Sequence, residues 1–235
     1  EVFFPTLRKN KIDTIIHMGD MFDNRKLTDY WSIDWTRRVI LEPFKKYNVH
    51  AILGNHDIFY RNTTKLNSPM LLLNEYKNIK VYDKPTDVNI GGLDILLLPW
   101  ITPEGEQEAL QAIQTTSSRV CMGHLELAGF YVNKLNVQNH GRDKSIFSRF
   151  TRVFSGHYHT RDDDGTIFYL GNPYQLYWSD YNDQRGFTIF DTETLEIQRI
   201  DNPFEMFKIC NYDEDSIEED LSSYKNCIVK LVIKN

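Results

Sequence analysis

The chain has 235 residues, 41% hydrophobic and 26% charged, with a formal net charge of −6 at pH 7. Such a composition fits one large globular domain or a domain plus a small annex, and it excludes a chain basic all over, while a local basic groove or an acidic cation site remains open. Three widely spread cysteines, Cys121, Cys210 and Cys227, form no C-x-x-C pair, which argues against a zinc ribbon or disulfide framework, and no apolar run approaches the roughly 18–20 residues of a membrane helix.

Early in the chain, short β-branched runs alternate with longer helical patterns, the signature of βαβ units. Residues Thr14–Met18 read as a strand. Residues 28–42 read as a helix, with Thr28 as its cap and Trp31, Trp35, Val39 and Ile40 recurring at helical spacing. Pro43 should end or kink it. Val49–Leu53 reads as the next strand, followed by a helix near Pro69–Tyr76 and strands at Ile79–Tyr82 and Leu93–Leu98. Thr102-Pro103-Glu104 offers a cap, an N1 proline and a first-turn acid for a helix running to about Gln114. Arg119–Met122 and Thr151–Phe154 are two more strands. Beyond residue 165, Ile167–Leu170, Phe187–Asp191 and Leu195–Ile200 read as antiparallel strands joined by turns. Asn202-Pro203 reads as a boundary, followed by an acidic patch from Asp213 to Asp220 and a last strand, Ile228–Ile233.

Four of these strands end alike. Thr14–Met18 runs into Gly19-Asp20, with Asp23 shortly after. Val49–Leu53 runs into Gly54-Asn55-His56-Asp57, Arg119–Met122 into Gly123-His124, and Thr151–Phe154 through Ser155 into Gly156-His157-Tyr158-His159. Ligands of open α/β sheets bind beyond the carboxyl ends of the strands. If the four strands lie side by side, one carboxylate, one amide oxygen and four of the seven histidines converge. Mixed nitrogen and oxygen ligands without thiolate suit Mn, Fe or Zn. A carboxylate that bridges two such ions about 3.5–4 Å apart suits metal-assisted phosphoester hydrolysis. Taken singly, each motif is an ordinary turn, and His17, His50 and His140 lack the strand-end glycine. It is the set, in order, that points to a site.

The set resembles the calcineurin-like metallophosphoesterase superfamily, whose pattern is D-x-H, G-D-x-x-D, G-N-H-[DE], G-H and G-H-x-H; the last four stand here in order, within about residues 12–200. The segments "HMGDMFDNRK", "ILGNHD", "VYDKPT", "CMGHLELAGFY", "NHGRDKSIFSRFTRVFSGHYHT" and "YLGNPYQLYWSDYNDQRGFTIFDTET" narrow the resemblance to SbcD-type DNA repair nucleases of the phage recombination-endonuclease kind. The resemblance implies an α/β fold, a four-layer sandwich of two mixed sheets flanked by helices. It implies a nuclease domain over 1–202 and the start of a capping domain over 203–235.

The roles it implies are these. Asp20 bridges two divalent ions, Mn foremost and Fe or Zn as alternatives. His159 binds the first ion; Asn55, His124 and His157 bind the second. His56 contacts the scissile phosphate and protonates or stabilises the leaving oxygen. Asp57 orients His56. Asp23 supports the ligands from behind. Arg25 touches a phosphate or sits in an exposed salt bridge, and Tyr158 packs or lines the groove.

The D-x-H motif is absent, and the chain opens inside the helix that should follow it. The resemblance therefore implies a fragment of a longer gene product, the alternative being a natural pseudoenzyme. It further implies DNA as substrate and an SMC-like ATPase partner bound through a segment beyond residue 235. Dimer contacts would come from helices such as 28–46, and the setting would be the cytoplasm of a bacterium or phage-infected host, with no membrane partner. Two other readings stay open: a small-molecule phosphomonoesterase or cyclic-nucleotide phosphodiesterase on the same fold, and a scaffold for DNA or the ATPase that has lost catalysis.

Overall fold

In the computed structural model, which describes residues 2–212 and 221–233, period-two alternation along the strands sorts their side chains onto two faces and so sets the layers. The acidic patch Asp213–Asp220 lies outside the described residues. The first sheet has three parallel strands in the order β1 (Thr14–His17), β2 (Asn48–Ile52) and β3 (Ile79–Tyr82). Its outer face carries Ile15 and Val49, which pack with Leu7 of helix α1 (Phe3–Lys9) and with Leu41, Phe44 and Leu73. From its inner face, Ile16 and Ile52 meet Ile95, Leu97, Val120, Met122 and Phe154 of the second sheet.

That second sheet has six strands. An antiparallel hairpin, β4 (Thr86–Ile90) and β5 (Leu93–Leu98), forms one edge. Parallel to β5 lies β6 (Val120–Gly123). A small hairpin, β7 (Tyr131–Asn133) with β8 (Asn136–Val137), leads to β9 (Arg152–Ser155), parallel to β6. The short β10 (Asp162–Asp163) and β11 (Ile167–Tyr169) complete the order β10-β11-β9-β6-β5-β4. The far face packs Leu96, Leu98, Cys121 and Val153 against Ala109 and Ile113 of a helix at Glu106–Thr115 and against Phe147 and Phe150. Helices, sheet, sheet and helix make the four layers that the resemblance implies, but only the second sheet is mixed, the first being parallel throughout.

Several local readings are corrected. The helix expected over 28–42 starts one residue late: Asp29, not Thr28, is the cap, its carboxylate accepting the Ser32 N–H at 2.9 Å. The α-helical stretch α2 (Tyr30–Thr36) widens into a π turn at Arg37–Leu41 and closes with α3 (Glu42–Phe44). Pro43 stands close to the end of the helix, as expected of a residue that ends or kinks it, with the π turn just before it and the last helical residue, Phe44, just after. The wide turn lets a new helical turn start at Glu42, and a proline near the start of a turn has no N–H to lose. Trp31 stays 70% exposed, and Ile40, Leu41 and Phe44 make the core contacts instead. The helix over residues 69–76 is the shorter α4 (Ser68–Leu73), capped by Asn67, which accepts the Met70 N–H. Thr102 acts one turn early: its hydroxyl accepts the Gly105 N–H, and α5 (Glu106–Thr115) begins after Gly105.

The antiparallel strand expected over Ile167–Leu170 is the shorter β11, Ile167–Tyr169. It pairs in parallel with β9 and antiparallel only with β10, because the loop after β9 carries the chain across before it turns back. The turn is fixed by Asp164, which accepts the N–H groups of Thr166 and Ile167. Strands β12 (Gly186–Phe190) and β13 (Ile197–Asp201) are antiparallel as expected. β14 (Phe207–Tyr212) pairs in parallel with β15 (Ile228–Ile233) in a ladder of its own. Among the described residues, no helix is long and apolar enough to cross a membrane.

Leu97 has no solvent exposure and lies between the sheets. Leu97→Ala should lower the free energy of unfolding by about 3 kcal/mol, through lost transfer energy and an unfilled cavity, as read by denaturant titration.

Candidate metal centre

The four strand ends do converge, but from two sheets rather than one: β1 and β2 from the first, β6 and β9 from the second. Main-chain bonds fix this end, the first of those that follow joining the two sheets and the other two continuing the ladders of the second sheet. The Trp100 N–H donates to the Leu53 carbonyl at 2.7 Å, His124 N–H to Leu98 at 3.1 Å and Gly156 N–H to Gly123 at 3.0 Å. Glycine is required where β1 and β2 end. A Cβ on Gly19 would lie 2.8 Å from Gly54 Cα, and one on Gly54 would overlap the Asp20 carboxylate. Gly19 also has φ +91°, and the next residue, Asp20, stays in the left-handed region at +56°. His157 is left-handed as well, at +82°. Two such non-glycine residues in one site store backbone strain.

Asp57 holds these turns in place. Its buried carboxylate accepts three main-chain N–H bonds: Asp20 at 2.7 Å and Gly54 at 2.8 Å on Oδ2, and Met21 at 2.9 Å on Oδ1. Burial pushes its pKa up to about 6, while the bonds from Gly54 and Met21 pull the other way. The expected role of Asp57, orienting His56, is therefore corrected. The His56 Nδ1–H goes to the main-chain carbonyl of Asp23 at 2.5 Å, and Asp57 is occupied by backbone.

Asp20 Oδ1 accepts the His56 N–H at 2.7 Å, and Oδ2 lies 3.2 Å from His124 Nε2. Burial opposes the Asp20 charge, but His124 and the His56 N–H outweigh it and hold the carboxyl at about 2. The buried His124 donates Nδ1–H to the Met18 carbonyl at 2.7 Å. A carbonyl only accepts, so in the neutral ring Nε2 carries the lone pair. That lone pair faces Asn55 Oδ1 at 3.0 Å as well as Asp20. Asn55 Oδ1 also lies 2.9 Å from His157 Nδ1. Electron-rich atoms this close repel unless a proton or a cation lies among them. Without a cation the proton is drawn in: burial lowers the His124 pKa, but Asp20 and the Met18 carbonyl raise it overall. His157 is the reverse case, lowered to about 3 by burial and by His124, and so held neutral. The donor set fits a divalent ion: ligand atoms of Asp20, His124 and His157 lie within 4.8 Å of one another, with the Asn55 oxygen beside them.

His159 does not join that group. It stands to one side, its ring parallel to Tyr177 at 6.0 Å and 8°, near enough to Asp20 to feel its charge while burial lowers its pKa. Arg25 makes no ion pair among the described residues; its Nη1 is buried without a hydrogen-bond partner, with Arg61 and Asp20 nearby. Tyr158 packs rather than lining the groove: it is buried, stacks on Tyr169 at 4.4 Å and donates to the Leu127 carbonyl at 2.8 Å. His50 pairs with Tyr82 and His140 is exposed, both apart from the centre. Two neighbours escaped the sequence reading. Trp100, at a fifth strand end, packs its ring 5.0 Å from His157 and 6.0 Å from His124. His17, read as an ordinary residue, lies close enough to feel Asp20 and His124, with burial lowering its pKa to about 4.

The sequence profile of the calcineurin-like phosphoesterases matches residues 1–161, over half of the chain. The chain belongs to the calcineurin-like phosphoesterase family. Members of this family are metal-dependent hydrolases, which accords with the donor set above. This calcineurin-like phosphoesterase is 40% identical over 196 residues to exonuclease subunit 1 of Enterobacteria phage T4, an alignment covering 83% of this chain and 58% of that protein. A relative in Invertebrate iridescent virus 3 is 21% identical over 183 residues, 74% of this chain and 51% of its own. The chain thus spans between half and three-fifths of the length of the relatives it matches. A solved archaeal phosphodiesterase superposes with a TM-score of 0.42 at 17% identity, over 84% of this chain and 88% of that one.

Asp57→Ala would leave three N–H groups without their acceptor. It should cost about 3 kcal/mol or more of unfolding free energy and weaken divalent-metal affinity by about 10- to 100-fold. Denaturant titration and calorimetric metal titration read the two effects. Because a proton and a cation compete for His124 Nε2, metal uptake should release on the order of one proton and tighten as pH rises. Titrations in buffers of different ionisation enthalpy measure that number.

Proposed function

We propose that this phosphoesterase hydrolyses DNA phosphodiester bonds with two divalent ions, Mn foremost, as the catalytic part of an SbcD-type nuclease. The observation that carries the reading is the meeting of Asp20, Asn55, His124 and His157 lone pairs around one point, with His56 beside them. The name of the phage relative, exonuclease subunit 1, supports the substrate. Asp20, Asn55, His124, His157 and His159 would hold the ions, with Asp20 shared, His159 at the first and the other three at the second. A bound divalent pair supplies Lewis acidity, lowering the pKa of a water and neutralising charge on the phosphate.

The chain's own residues do the rest. His56, with Nδ1–H tied to the Asp23 carbonyl, keeps Nε2 for the phosphate and gives a proton to the leaving oxygen. Arg25, its Nη1 unpartnered, takes a non-bridging phosphate oxygen. Trp100 packs against two of the imidazoles and keeps water off that side. Residues 1–202 form the catalytic unit in this reading. Residues 203–235 begin a capping unit, which the separate β14–β15 ladder supports. Cytoplasmic DNA and an SMC-like ATPase subunit are the partners it implies.

The deciding assay is Mn-dependent degradation of linear duplex DNA by the full natural gene product, with a chelator control. His56→Ala should keep its metal and lose about 10²- to 10⁴-fold in kcat. Asp20→Ala should lose metal and turnover together, and His140→Ala should lose far less than either. A His56→Ala protein emptied of metal would overturn its assignment. Turnover of small phosphoesters with none of DNA would make the protein a small-molecule phosphoesterase.

A further inference from the structure

One loop beside the centre is held more firmly than its exposure explains. Residues 172–183, between β11 and β12, present two half-exposed tyrosines, Tyr174 at 48% and Tyr177 at 51%. Beneath them the loop is pinned by buried charge. Asp180 Oδ2 accepts the N–H groups of Leu176 at 2.8 Å and Tyr177 at 3.2 Å. Arg185 Nη2 lies 2.9 Å from both Asp180 Oδ1 and Asp183 Oδ2. Asp183 in turn accepts the hydroxyl of Thr160, which follows His159 directly. Gln175, also buried, donates to the Asp180 carbonyl and accepts from Met206 and Phe207 N–H. Removing one partner from such a buried ion pair leaves an uncompensated charge, so the loop keeps its shape.

Tyr177 is fixed at its ring too. One face lies parallel to His159, and the hydroxyl is beside Asp23. The residue as a whole stays half-exposed. Tyr174 also approaches Asp23, and Arg25 stands on the same loop as Asp23. A flat, half-exposed ring with contacts at His159 and Asp23, next to the centre, suits stacking on a nucleobase, since a side chain already held on one side loses less entropy on contact.

We propose that Tyr177, flanked by Tyr174, is a stacking platform for one unpaired base of the nucleic-acid strand, next to the bond that is cut. This rests on the nuclease reading and deepens it. Base faces inside a duplex are covered by their neighbours, so the platform selects a frayed or single-stranded nucleotide over a paired one.

The test uses the full natural protein with Mn. The kcat/KM for a single-stranded oligonucleotide is compared with that for the same strand carrying one base-free sugar, stepped along the sequence. The ratio should be about tenfold at one position beside the cut, collapse in Tyr177→Ala and persist in Tyr177→Trp. Because it is a ratio within each variant, a general loss of activity does not move it. A wild-type ratio near one at every position overturns the platform while the nuclease reading stands. A tenfold ratio that survives Tyr177→Ala also overturns it, because another residue then reads the base. If no oligonucleotide is cut while a small phosphoester is turned over, the nuclease reading has failed and the platform falls with it.

Discussion

The centre depends on the capture of one buried carboxylate by three main-chain N–H groups. Asp57 reaches back from the end of the second strand to the turn that ends the first, and bonds Asp20, Met21 and Gly54 together. Without it, the N–H groups of two closely packed glycine turns would lose the one acceptor that they share. With it, Asp20 is held in a left-handed conformation that its own side chain disfavours. The lone pairs of Asn55, His124 and His157 are then arranged around that fixed point. The convergence of these donor atoms is a property of the backbone first and of side chains second.

The same arrangement explains the glycines. Sheet ends that pack close enough for Gly19 to meet Gly54 and His124 leave no room for a Cβ. The apolar layer between the sheets, from Ile52 to Leu97 and Phe154, supplies the force that holds them together. Packing at one end of the sandwich and ligand geometry at the other are thus one problem, solved by residues without side chains at the point of contact.

Much of this was legible in the sequence, and for a physical reason. Strand ends such as Gly54-Asn55-His56-Asp57 carry chemistry and geometry in the same few letters, so reading one gave the other. The β-branched runs gave the strands. What was not legible depended on partners distant in the chain. Asp57 looked like a companion to its neighbour His56, because sequence shows adjacency; its actual partners are Asp20 and Met21, more than thirty positions away. Trp31 and Trp35 have helical spacing, but spacing alone did not say which face the core would take. The π turn before Pro43 has no sequence signature of its own. The hairpin through Gly91-Gly92, both residues at positive φ, has a signature in its paired glycines and alternating flanks.

Gln175 has a further consequence. Its amide touches the Asp180 carbonyl on one side and the first N–H groups of the C-terminal ladder on the other. Asp180 leads through Arg185 and Asp183 to Thr160, the residue after His159. Arg185, buried between the Asp180 and Asp183 carboxylates, is the charged link in this path. The C-terminal ladder is thereby joined, through one succession of polar contacts, to the residue that follows His159.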